Sequence, residues 1–350
     1  MRGDGGGAPG PTQLDRQSGA GRGRCLTPQW LAFFNEVVGE GRARAIVPER
    51  ATSICVVGAR VALRLINLCA SRCGGGRVAG FADQYGPWAA IFGASEGIGA
   101  SFARQIAAKG VNVLLVARRR DPLDVLAGQI QAECGVGART LSLDLTQHDF
   151  LDTVADITRD LDVGLIVWNA GATGSSAGAA QEADEFLASA FSSHIALVHL
   201  NCIGPVAACY HFALHMKQRG SGGIVLVSSM AGMAGSALTV TYSAAKAFEQ
   251  VLAEGLWSEL QPHGVDVLAL VAGATLTPAL QRADVHIDPD YPAMASDDVA
   301  GEGLAHLPDG PVWVPGEGNR AGFDYVRSLD RRDAVETMSA AARALWGRAD

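Results

Sequence analysis

The amino-acid sequence predicts an α/β protein built on a doubly wound parallel sheet with helices on both faces. From about Gly86, short and almost continuously apolar segments alternate with segments of helical periodicity, which is typical of strands buried on both sides. The chain has 350 residues, of which 48% are hydrophobic, so it can bury a large core. Its 43 glycines and 6% aromatic residues suit strand-to-helix turns better than an all-β sandwich. The predicted strands are Trp88–Phe92, Asn112–Val116, Thr140–Leu143, Gly164–Trp168, Gly223–Val227 and Asp266–Val271.

Two segments are predicted to precede this α/β domain. Residues 1–26 are rich in glycine, proline and arginine and show no periodicity, which predicts a disordered tail. Residues 27–85 are predicted to form a helical N-terminal extension, because their apolar residues recur at helical spacing. The α/β domain is then expected to cover residues 86–350.

The extension contains an apolar stretch, residues 51–70, that is nearly long enough to span a bilayer. Arg60 and Arg64 lie inside it, and a charged residue at the centre of a membrane helix is costly. An amphipathic helix packed on protein is therefore favoured. Contact of residues 28–72 with a membrane surface is the alternative.

Charge and cysteine content exclude several classes of protein. The net charge of −8 provides no general attraction to nucleic acid. Seven scattered cysteines form no CxxC pair, which argues against a disulfide framework and fits a reducing, cytoplasmic setting. His211 and His215 are four residues apart but lack the carboxylate of an HExxH pattern, so no metal site is predicted.

A glycine-rich turn follows the first predicted strand and leads into a helix. Glycines at this point let the backbone approach a pyrophosphate, while the helix N-terminus supplies N–H donors. A tight turn alone is the simpler explanation, but the strand before and the helix after favour a dinucleotide site. The turn consists of Gly93, Ala94, Ser95, Glu96, Gly97, Ile98 and Gly99.

The end of the second predicted strand indicates the choice of cofactor. An NAD-preferring site usually has an acidic residue here, but this chain has Ala117 followed by Arg118 and Arg119. A guanidinium pairs well with the 2′-phosphate of NADP, so NADP(H) is predicted over NAD(H). A solvated basic loop is the alternative, and Glu96 in the glycine turn weakens the NADP prediction slightly.

A tyrosine and a lysine four residues apart form the strongest catalytic pattern. In the sequence YSAAK (242–246), a helix projects Tyr242 and Lys246 from the same face. A nearby ammonium favours the ionised form of a phenol, so the hydroxyl can protonate an alkoxide or accept a proton from an alcohol. Ser229 lies thirteen residues before Tyr242, just past a predicted strand, where it would hold a carbonyl oxygen. Ser228 would point away.

Other polar residues follow strand ends or lie inside apolar segments. Asn201 lies in an apolar helix, where its amide needs a hydrogen-bond partner; a simple bond to the helix backbone is the alternative to a functional role. Asp144 either contacts adenine or caps a helix. The further candidate cofactor-binding residues are Leu145, Asn169, Ala170 and Gly171.

From about Gly86 to Arg320 the chain resembles the short-chain dehydrogenase/reductase family. The resemblance is carried by motifs in the family's order and spacing: GASEGIG (93–99), ARR (117–119), DL (144–145), NAG (169–171), Asn201, Ser229 and YSAAK (242–246). It implies a Rossmann fold and an NAD(P)-dependent exchange between a carbonyl and a secondary alcohol. Tyr242 would be the acid/base, Lys246 would favour its ionised form and hold the nicotinamide ribose, Ser229 would orient the carbonyl, and Asn201 would hold a water of the proton relay.

The resemblance also implies where the substrate binds and how the chain assembles. YGPWAAIFGASEGIG and VWNAG look similar to the branch of steroid and long-chain 3-ketoacyl reductases, which implies an apolar substrate. Gly273 and Thr275 lie where the family contacts the nicotinamide, although Ala272 replaces the usual proline and predicts a softer turn. Residues 273–300 are expected to form the substrate lid. Family tails such as 331–345 often pack on another subunit, so a homodimer or homotetramer is expected.

Two other functions compete with an active reductase. A non-catalytic NADP(H)-binding sensor or regulatory protein would keep the cofactor fold, but it would have little reason to keep Asn201, Ser229, Tyr242 and Lys246 together. Serine hydrolysis is disfavoured because the reductase pattern explains the same region of the chain better.

Overall fold

The computed structural model describes residues 80–172, 183–283, 285–287 and 293–347. The predicted disordered tail, and the predicted helical extension before residue 80, lie outside the described residues. The question of membrane contact through residues 28–72 therefore falls outside the described part of the chain.

Seven parallel strands form the main sheet, and two short strands form a separate pair. In chain order the strands are β1 (Trp88–Phe92), β2 (Asn112–Ala117), β3 (Ala138–Ser142), β4 (Val163–Trp168), β5 (Gly222–Ser229), β6 (Val265–Ala272), β7 (Thr275–Leu276), β8 (Met294–Ala295) and β9 (Val312–Trp313). The main sheet has the order β3-β2-β1-β4-β5-β6-β9, and β7 pairs with β8. This is the doubly wound sheet that the sequence predicts.

Helices connect the strands and cover both faces of the sheet. In chain order they are α1 (Phe81–Tyr85), α2 (Gly97–Ala108), α3 (Arg120–Cys134), α4 (Phe150–Thr158), α5 (Phe191–Val198), α6 (Gly204–Arg219), α7 (Val240–Leu260), α8 (Pro278–Arg282), α9 (Ser296–His306), α10 (Glu317–Ser328) and α11 (Arg331–Leu345). A π-helical turn, His199–Ile203, joins α5 to α6. Short 3₁₀ turns cover Met230–Gly232, Gln261–His263 and Leu307–Asp309.

The core consists of two apolar layers, one on each face of the sheet. On one face α2, α3 and α9 contribute side chains such as Phe102, Ile130 and Leu304. On the other face α4, α6 and α7 contribute side chains such as Phe212 and Ala253. All six residues of β4 are buried, which explains why the central strands read as unbroken apolar runs in the sequence.

The six predicted strands are all present, and five of them differ from the prediction by one or two residues at an end. Strand β3 begins at Ala138 rather than Thr140, because the polar edge strand pairs with β2 from that residue on. Strand β5 continues to Ser229, since both serines at its end still pair with β6. Ser229 is therefore the last residue of a strand and does not lie beyond it. The tail at residues 331–345 forms helix α11.

The chain order of the strands reverses between β1 and β4, and this creates a crevice at their carboxyl ends. Strand β2 lies on one side of β1, and β4 lies on the other. In doubly wound sheets, ligands bind in the crevice at such a switch point. The predicted glycine turn follows β1 and Asn169 follows β4, so both motifs lie at this crevice.

Helix α1 comes from the end of the predicted extension and packs on β4 and β5. Tyr85 is buried, and its hydroxyl donates a hydrogen bond to Oδ2 of Asp266 at 2.7 Å. Burial raises the pKa of both Tyr85 and Asp266 above their ordinary values. These contacts tie α1 to the sheet at the start of β6.

Within the described residues, one helical stretch, 191–219, is long and apolar enough to cross a membrane by length and composition. The core helix of a soluble protein passes the same test. Phe212 and Met216 of this stretch are buried in the core layer against the sheet. The packing therefore accounts for part of its apolar character.

Candidate active site

The glycine turn after β1 brings two strand ends into close contact. Gly93 has a φ of 85°, and a Cβ at this position would lie 2.7 Å from the backbone nitrogen of Ala170. A Cβ on Gly99 would lie 2.8 Å from Nδ2 of Asn169. The close approach and the positive φ together require glycine at residue 93. Helix α2 begins at Gly97, so its N-terminus opens onto the crevice.

Asn169 links the ends of β1 and β4. Its side-chain Nδ2 donates to the carbonyl of Gly93 at 3.0 Å, and its backbone nitrogen donates to the carbonyl of Phe92 at 2.9 Å. Ala170 is buried beside it, and Ile98 packs on the core. These residues hold the shape of the turn and leave the backbone N–H groups at the start of α2 to bind a ligand.

Three charged residues form a cluster at the rim of the crevice. The carboxylate of Glu96 forms ion pairs with Arg119, which follows β2, and with Arg282, at the end of α8. Partial burial acts to raise the pKa of Glu96, but the two guanidinium groups outweigh it and hold the pKa below its ordinary value. Nη2 of Arg119 lies 3.5 Å from Oγ of Ser95. The participation of Arg282 was not predicted.

Arg118 and Asp144 lie at the ends of β2 and β3. The carbonyl of Arg118 accepts a hydrogen bond from Oγ of Ser142 at 2.9 Å, and the residue is exposed. Asp144 accepts hydrogen bonds from the backbone nitrogen and hydroxyl of Thr146, at 3.0 and 2.8 Å. Partial burial acts against them, but these bonds leave the pKa of Asp144 lowered.

The structure around Asp144 excludes one of its two predicted roles, that of a helix cap. The next helix, α4, begins at Phe150 and has Asp149 in its N-cap position, so Asp144 does not cap a helix. The hydrogen bonds to Thr146 instead close a turn after β3. Leu145 is buried in the apolar layer beneath that turn. The contact with adenine stays a prediction.

The two serines at the end of β5 point in different directions. Oγ of Ser228 is buried and donates to the carbonyl of Lys246 at 2.7 Å, so this side chain faces α7. Ser229 is partly exposed, and its Oγ accepts a hydrogen bond from the backbone nitrogen of Ala231 at 3.2 Å. Its hydroxyl proton is therefore available to another acceptor.

Tyr242 and Lys246 lie on the same face of α7, as their spacing predicts. The Nζ of Lys246 is 5.8 Å from the centre of the Tyr242 ring. Tyr242 is partly exposed, whereas Lys246 is buried. The buried ammonium of Lys246 therefore lies beside the aromatic ring of Tyr242.

Lys246 has a buried acidic partner that the sequence analysis missed. Its Nζ donates to Oε1 and Oε2 of Glu249, at 3.0 and 2.9 Å, and to the carbonyl of Val227 at 2.9 Å. Burial lowers the pKa of Lys246, but Glu249 and Tyr242 outweigh it and leave the pKa raised. Burial raises the pKa of Glu249 to about 7, against the opposing effect of Lys246.

Asn201 lies in the π-helical turn between α5 and α6 and is fully buried. Its Nδ2 donates to the carbonyl of Leu197 at 3.0 Å, while its Oδ1 has no hydrogen-bond partner among the described residues. A Cβ on Gly171 would lie 2.9 Å from this Oδ1 and 3.2 Å from Nζ of Lys246. Asn201 and Lys246 therefore meet beside Gly171, and the π-turn aims the amide at that point.

The residues after β6 connect the sheet to the predicted lid. Oγ1 of Thr275 donates to the carbonyl of Gly273 at 3.0 Å, and a Cβ on Gly273 would clash with the side chain of Asn319. Thr277 caps α8 by accepting from the backbone nitrogen of Leu280 at 3.0 Å. A Cβ on Gly97 would lie 2.8 Å from Cγ2 of Thr277, so the start of the segment predicted to form the lid contacts the glycine turn.

The C-terminal helix α11 packs on the loop that follows Ser229 in its own chain. Oγ of Ser236 donates to the carbonyl of Met338 at 3.2 Å, and the backbone nitrogen of Ala237 donates to Oγ of Ser339 at 3.0 Å. The tail thus supports the loop between β5 and α7, which carry Ser229 and Tyr242. Packing of the tail on another subunit stays a prediction.

Of the predicted site residues, Gly171, Asn201 and Lys246 converge on one point, with Tyr242 beside Lys246. Two residues of the site were missed, Glu249 and Arg282. A signal for Glu249 was present, since it lies three residues after Lys246 on the inward face of α7 among buried small residues. No local pattern points to Arg282, because its partner lies 186 residues away.

Three comparisons place this geometry among known proteins. A family model described as short chain dehydrogenase matches residues 87–287. A 7beta-hydroxysteroid dehydrogenase of Clostridium sardiniense is 30% identical over 260 residues, which cover 74% of this chain and 96% of that protein. A very-long-chain 3-oxoacyl-CoA reductase of Neurospora crassa is 34% identical over 200 residues, which are 56% of this chain and 58% of the relative.

A solved structure agrees with these sequence comparisons. The short-chain dehydrogenase of Sphingobium yanoikuyae in complex with NADPH is 30% identical and superposes with a TM-score of 0.61, over 69% of this chain and 92% of that one. The expected likeness to steroid and long-chain 3-ketoacyl reductases is confirmed. The chain belongs to the short-chain dehydrogenase/reductase family and is an NAD(P)-dependent oxidoreductase.

Proposed function

We propose that the protein interconverts a carbonyl and a secondary alcohol by NADP(H)-dependent hydride transfer, with Tyr242 as the general acid/base. The observation that carries this proposal is the arrangement on α7, where the buried Nζ of Lys246 lies 5.8 Å from the ring of Tyr242. Ser229 ends the neighbouring strand with its hydroxyl proton available. Asn201 points an amide oxygen, which has no partner among the described residues, toward Gly171 and Lys246.

The crevice fits a dinucleotide. Gly93 and Gly99 let the backbone pack so closely that a Cβ at either position would clash, and the N-terminus of α2 offers backbone N–H groups to a pyrophosphate. Asn169, Ala170 and Gly171 border the same crevice, with Gly273 and Thr275 on the side of the lid. The cofactor, when bound, supplies or accepts the hydride.

The residues of this chain move the proton and hold the carbonyl. In reduction Tyr242 donates its hydroxyl proton to the developing alkoxide, and in oxidation it accepts the proton from the alcohol. Lys246 stabilises the phenolate that remains, because its ammonium is held nearby in a buried environment. Ser229 donates a hydrogen bond to the carbonyl oxygen, and Asn201 holds a water that returns a proton to Tyr242.

The preference for NADP(H) over NAD(H) rests on the arginines after β2. Arg118 and Arg119 are exposed at the strand end where the adenosine ribose lies in this fold. Glu96 pairs with Arg119 and must share it with the 2′-phosphate. The NADPH complex of the Sphingobium yanoikuyae relative supports the preference.

An apolar substrate, steroid-like or acyl, fits the surroundings of the site. The names of the hydroxysteroid and 3-oxoacyl-CoA relatives support this class. Leu187 and Leu276 are exposed apolar residues on segments near the site. Leu276 follows Thr275, and the segment of Leu187 bonds to the backbone of Leu238, four residues before Tyr242.

We expect the protein to act as a homodimer or homotetramer in the cytoplasm. The exposed face of α5, α6 and α7 carries large apolar side chains, among them Phe191, Tyr210, Leu214 and Val251. Such a face is typical of a subunit interface. The scattered cysteines, three of which are free in the described residues, suit a reducing compartment.

Replacing the phenol hydroxyl tests the proposed chemistry. Tyr242→Phe should lower kcat for reduction of an apolar ketone by about 10²- to 10⁴-fold, because the general acid is lost. Tyr325→Phe, an exposed tyrosine on α10, is the matched control and should leave kcat unchanged. NADPH titration should give the same affinity for both variants. Turnover undiminished in Tyr242→Phe would overturn the assignment, and binding without turnover in the wild type would indicate a sensor.

A further inference from the structure

Glu249 is a fully buried carboxylate that the proposed chemistry does not use. It lies one helical turn after Lys246 on α7, and its side chain is 0% exposed. Both of its oxygens accept hydrogen bonds from Nζ of Lys246. A buried carboxylate held by a single ammonium depends on that ammonium for its charge balance.

Oxygens of the protein already surround the ammonium of Lys246. Both oxygens of Glu249 and the carbonyl of Val227 accept hydrogen bonds from its Nζ. The family resemblance implies that Lys246 also holds the nicotinamide ribose. A ribose hydroxyl would therefore compete with Glu249 and Val227 for the ammonium.

We propose that Glu249 is a positioning residue that holds Lys246 in the cofactor-free protein and releases it on cofactor binding by taking up a proton from solvent. The inference rests on the proposed function and on the role that the family resemblance implies, in which Lys246 holds the nicotinamide ribose. Releasing the ammonium while the carboxylate stays ionised would leave a buried charge unpaired. A proton taken up by Glu249 neutralises that charge. The new O–H bond is the only covalent bond that changes.

The groups around this pair are few and can be named. Within the described residues, Lys246 faces Glu249 on α7, and Tyr242 faces Lys246 from the preceding turn. Cys202, on the π-helical turn, is the titratable group that interacts with the pair from a neighbouring element. Burial and Glu249 raise the pKa of Cys202, so this thiol stays neutral near pH 7 and does not take part in the exchange.

The proton uptake fixes the direction in which NADPH affinity changes with pH. Burial already raises the pKa of Glu249 to about 7 in the cofactor-free protein. Loss of its ammonium partner raises that pKa further, so the bound state holds more protons than the free state. The affinity for NADPH should then fall by about tenfold as the pH rises from about 6 to about 8.

Calorimetric titration of the full chain with NADPH, in buffers of different ionisation enthalpy, measures this proton uptake directly. At about pH 7 we expect the wild type to take up about half a proton per NADPH, since Glu249 is half protonated beforehand. Parallel titration with 2′,5′-ADP, which lacks the nicotinamide ribose, corrects for protons exchanged by the 2′-phosphate. Glu249→Gln should bind NADPH without this uptake, whereas Glu254→Gln, an exposed change on the same helix, should retain it.

The possible results separate this inference from the proposed function. If NADPH binds the wild type with no more uptake than 2′,5′-ADP, the inference fails even when Glu249→Gln does not fold. Equal uptake in Glu249→Gln and the wild type would also overturn it. If neither NADPH nor NADH binds, the cofactor role of the site fails instead. A merely structural Glu249 would change thermal stability but leave the uptake of the folded protein unaltered.

Discussion

Two groups of charged side chains flank the crevice, and they differ in their access to water. In the rim cluster, Glu96, Arg119 and Arg282 have side chains that are 23%, 52% and 54% exposed. In the buried pair, Lys246 and Glu249 are 5% and 0% exposed. Water stabilises the charges of the rim cluster in any arrangement, so its ion pairs can be exchanged for a ligand phosphate at little cost. The charges of the buried pair depend on each other.

The largest expected effect is a difference in stability between variants of the buried pair and variants of the rim cluster. Glu249→Leu leaves Lys246 buried without its partner and should lower the free energy of unfolding by about 3–5 kcal/mol. Arg282→Leu removes an exposed ion pair and should cost less than about 1 kcal/mol. Urea unfolding followed by tryptophan fluorescence measures both changes.

A double replacement sharpens this comparison. Lys246→Met combined with Glu249→Leu removes both buried charges, and most of the stability lost in Glu249→Leu should return, because apolar residues of similar size can replace a buried pair. Similar losses for Glu249→Leu and Arg282→Leu would contradict the difference drawn between the two groups.

The pH dependence of stability gives the next largest expected effect. The pKa of Glu249 is about 7 in the folded protein, above the value of about 4.3 for an unfolded chain. The folded state therefore holds the proton longer, and stability should fall by up to about 3 kcal/mol as the pH rises from about 4.3 to about 7. This decline should be absent in Glu249→Gln and present in Glu254→Gln. A decline of the same size in both variants would mean that other groups cause it.

The sequence predicted those parts of the fold and the site that follow from local spacing. The apolar strands, the glycine turn and the i, i+4 pairing of Tyr242 with Lys246 are periodic features that a strand or helix imposes. Strand ends were less predictable: Ser228 and Ser229 look like loop residues, but pairing with β6 keeps them in β5.

The ion pairs of the rim cluster and of the buried pair depend on tertiary contacts, which the spacing of apolar residues along the chain does not predict. Glu249 could have been noticed, because a charged residue on the inward face of α7 needs a buried partner. Arg282 could not, since only the tertiary fold brings α8 next to the glycine turn that carries Glu96. The π-turn that aims Asn201 likewise has no sequence signal in this chain.

At the rim, removal of an arginine should affect the choice of cofactor. Arg119→Ala should weaken NADPH binding by about 10- to 100-fold, because a charge-assisted hydrogen bond to the 2′-phosphate contributes about 1.5–3 kcal/mol. NADH binding should change little, since NADH lacks that phosphate. Arg120→Ala is the matched control, because the ion pair of Arg120 in the described part of the chain is with Asp124 on the exposed face of α3. Parallel losses for NADPH and NADH would indicate that Arg119 supports the fold of the crevice instead.

The smallest effect should come from the acid of the rim cluster. Glu96→Gln keeps the size of the side chain but removes the carboxylate that competes with the 2′-phosphate for Arg119. NADPH should then bind about threefold more tightly, because an exposed ion pair contributes less than about 1 kcal/mol. The gain should shrink in about 0.5 M salt, where exposed charges are screened. Weaker NADPH binding in Glu96→Gln would show that the carboxylate orients Arg119 toward the phosphate, and that the rim cluster is a preformed site for the phosphate.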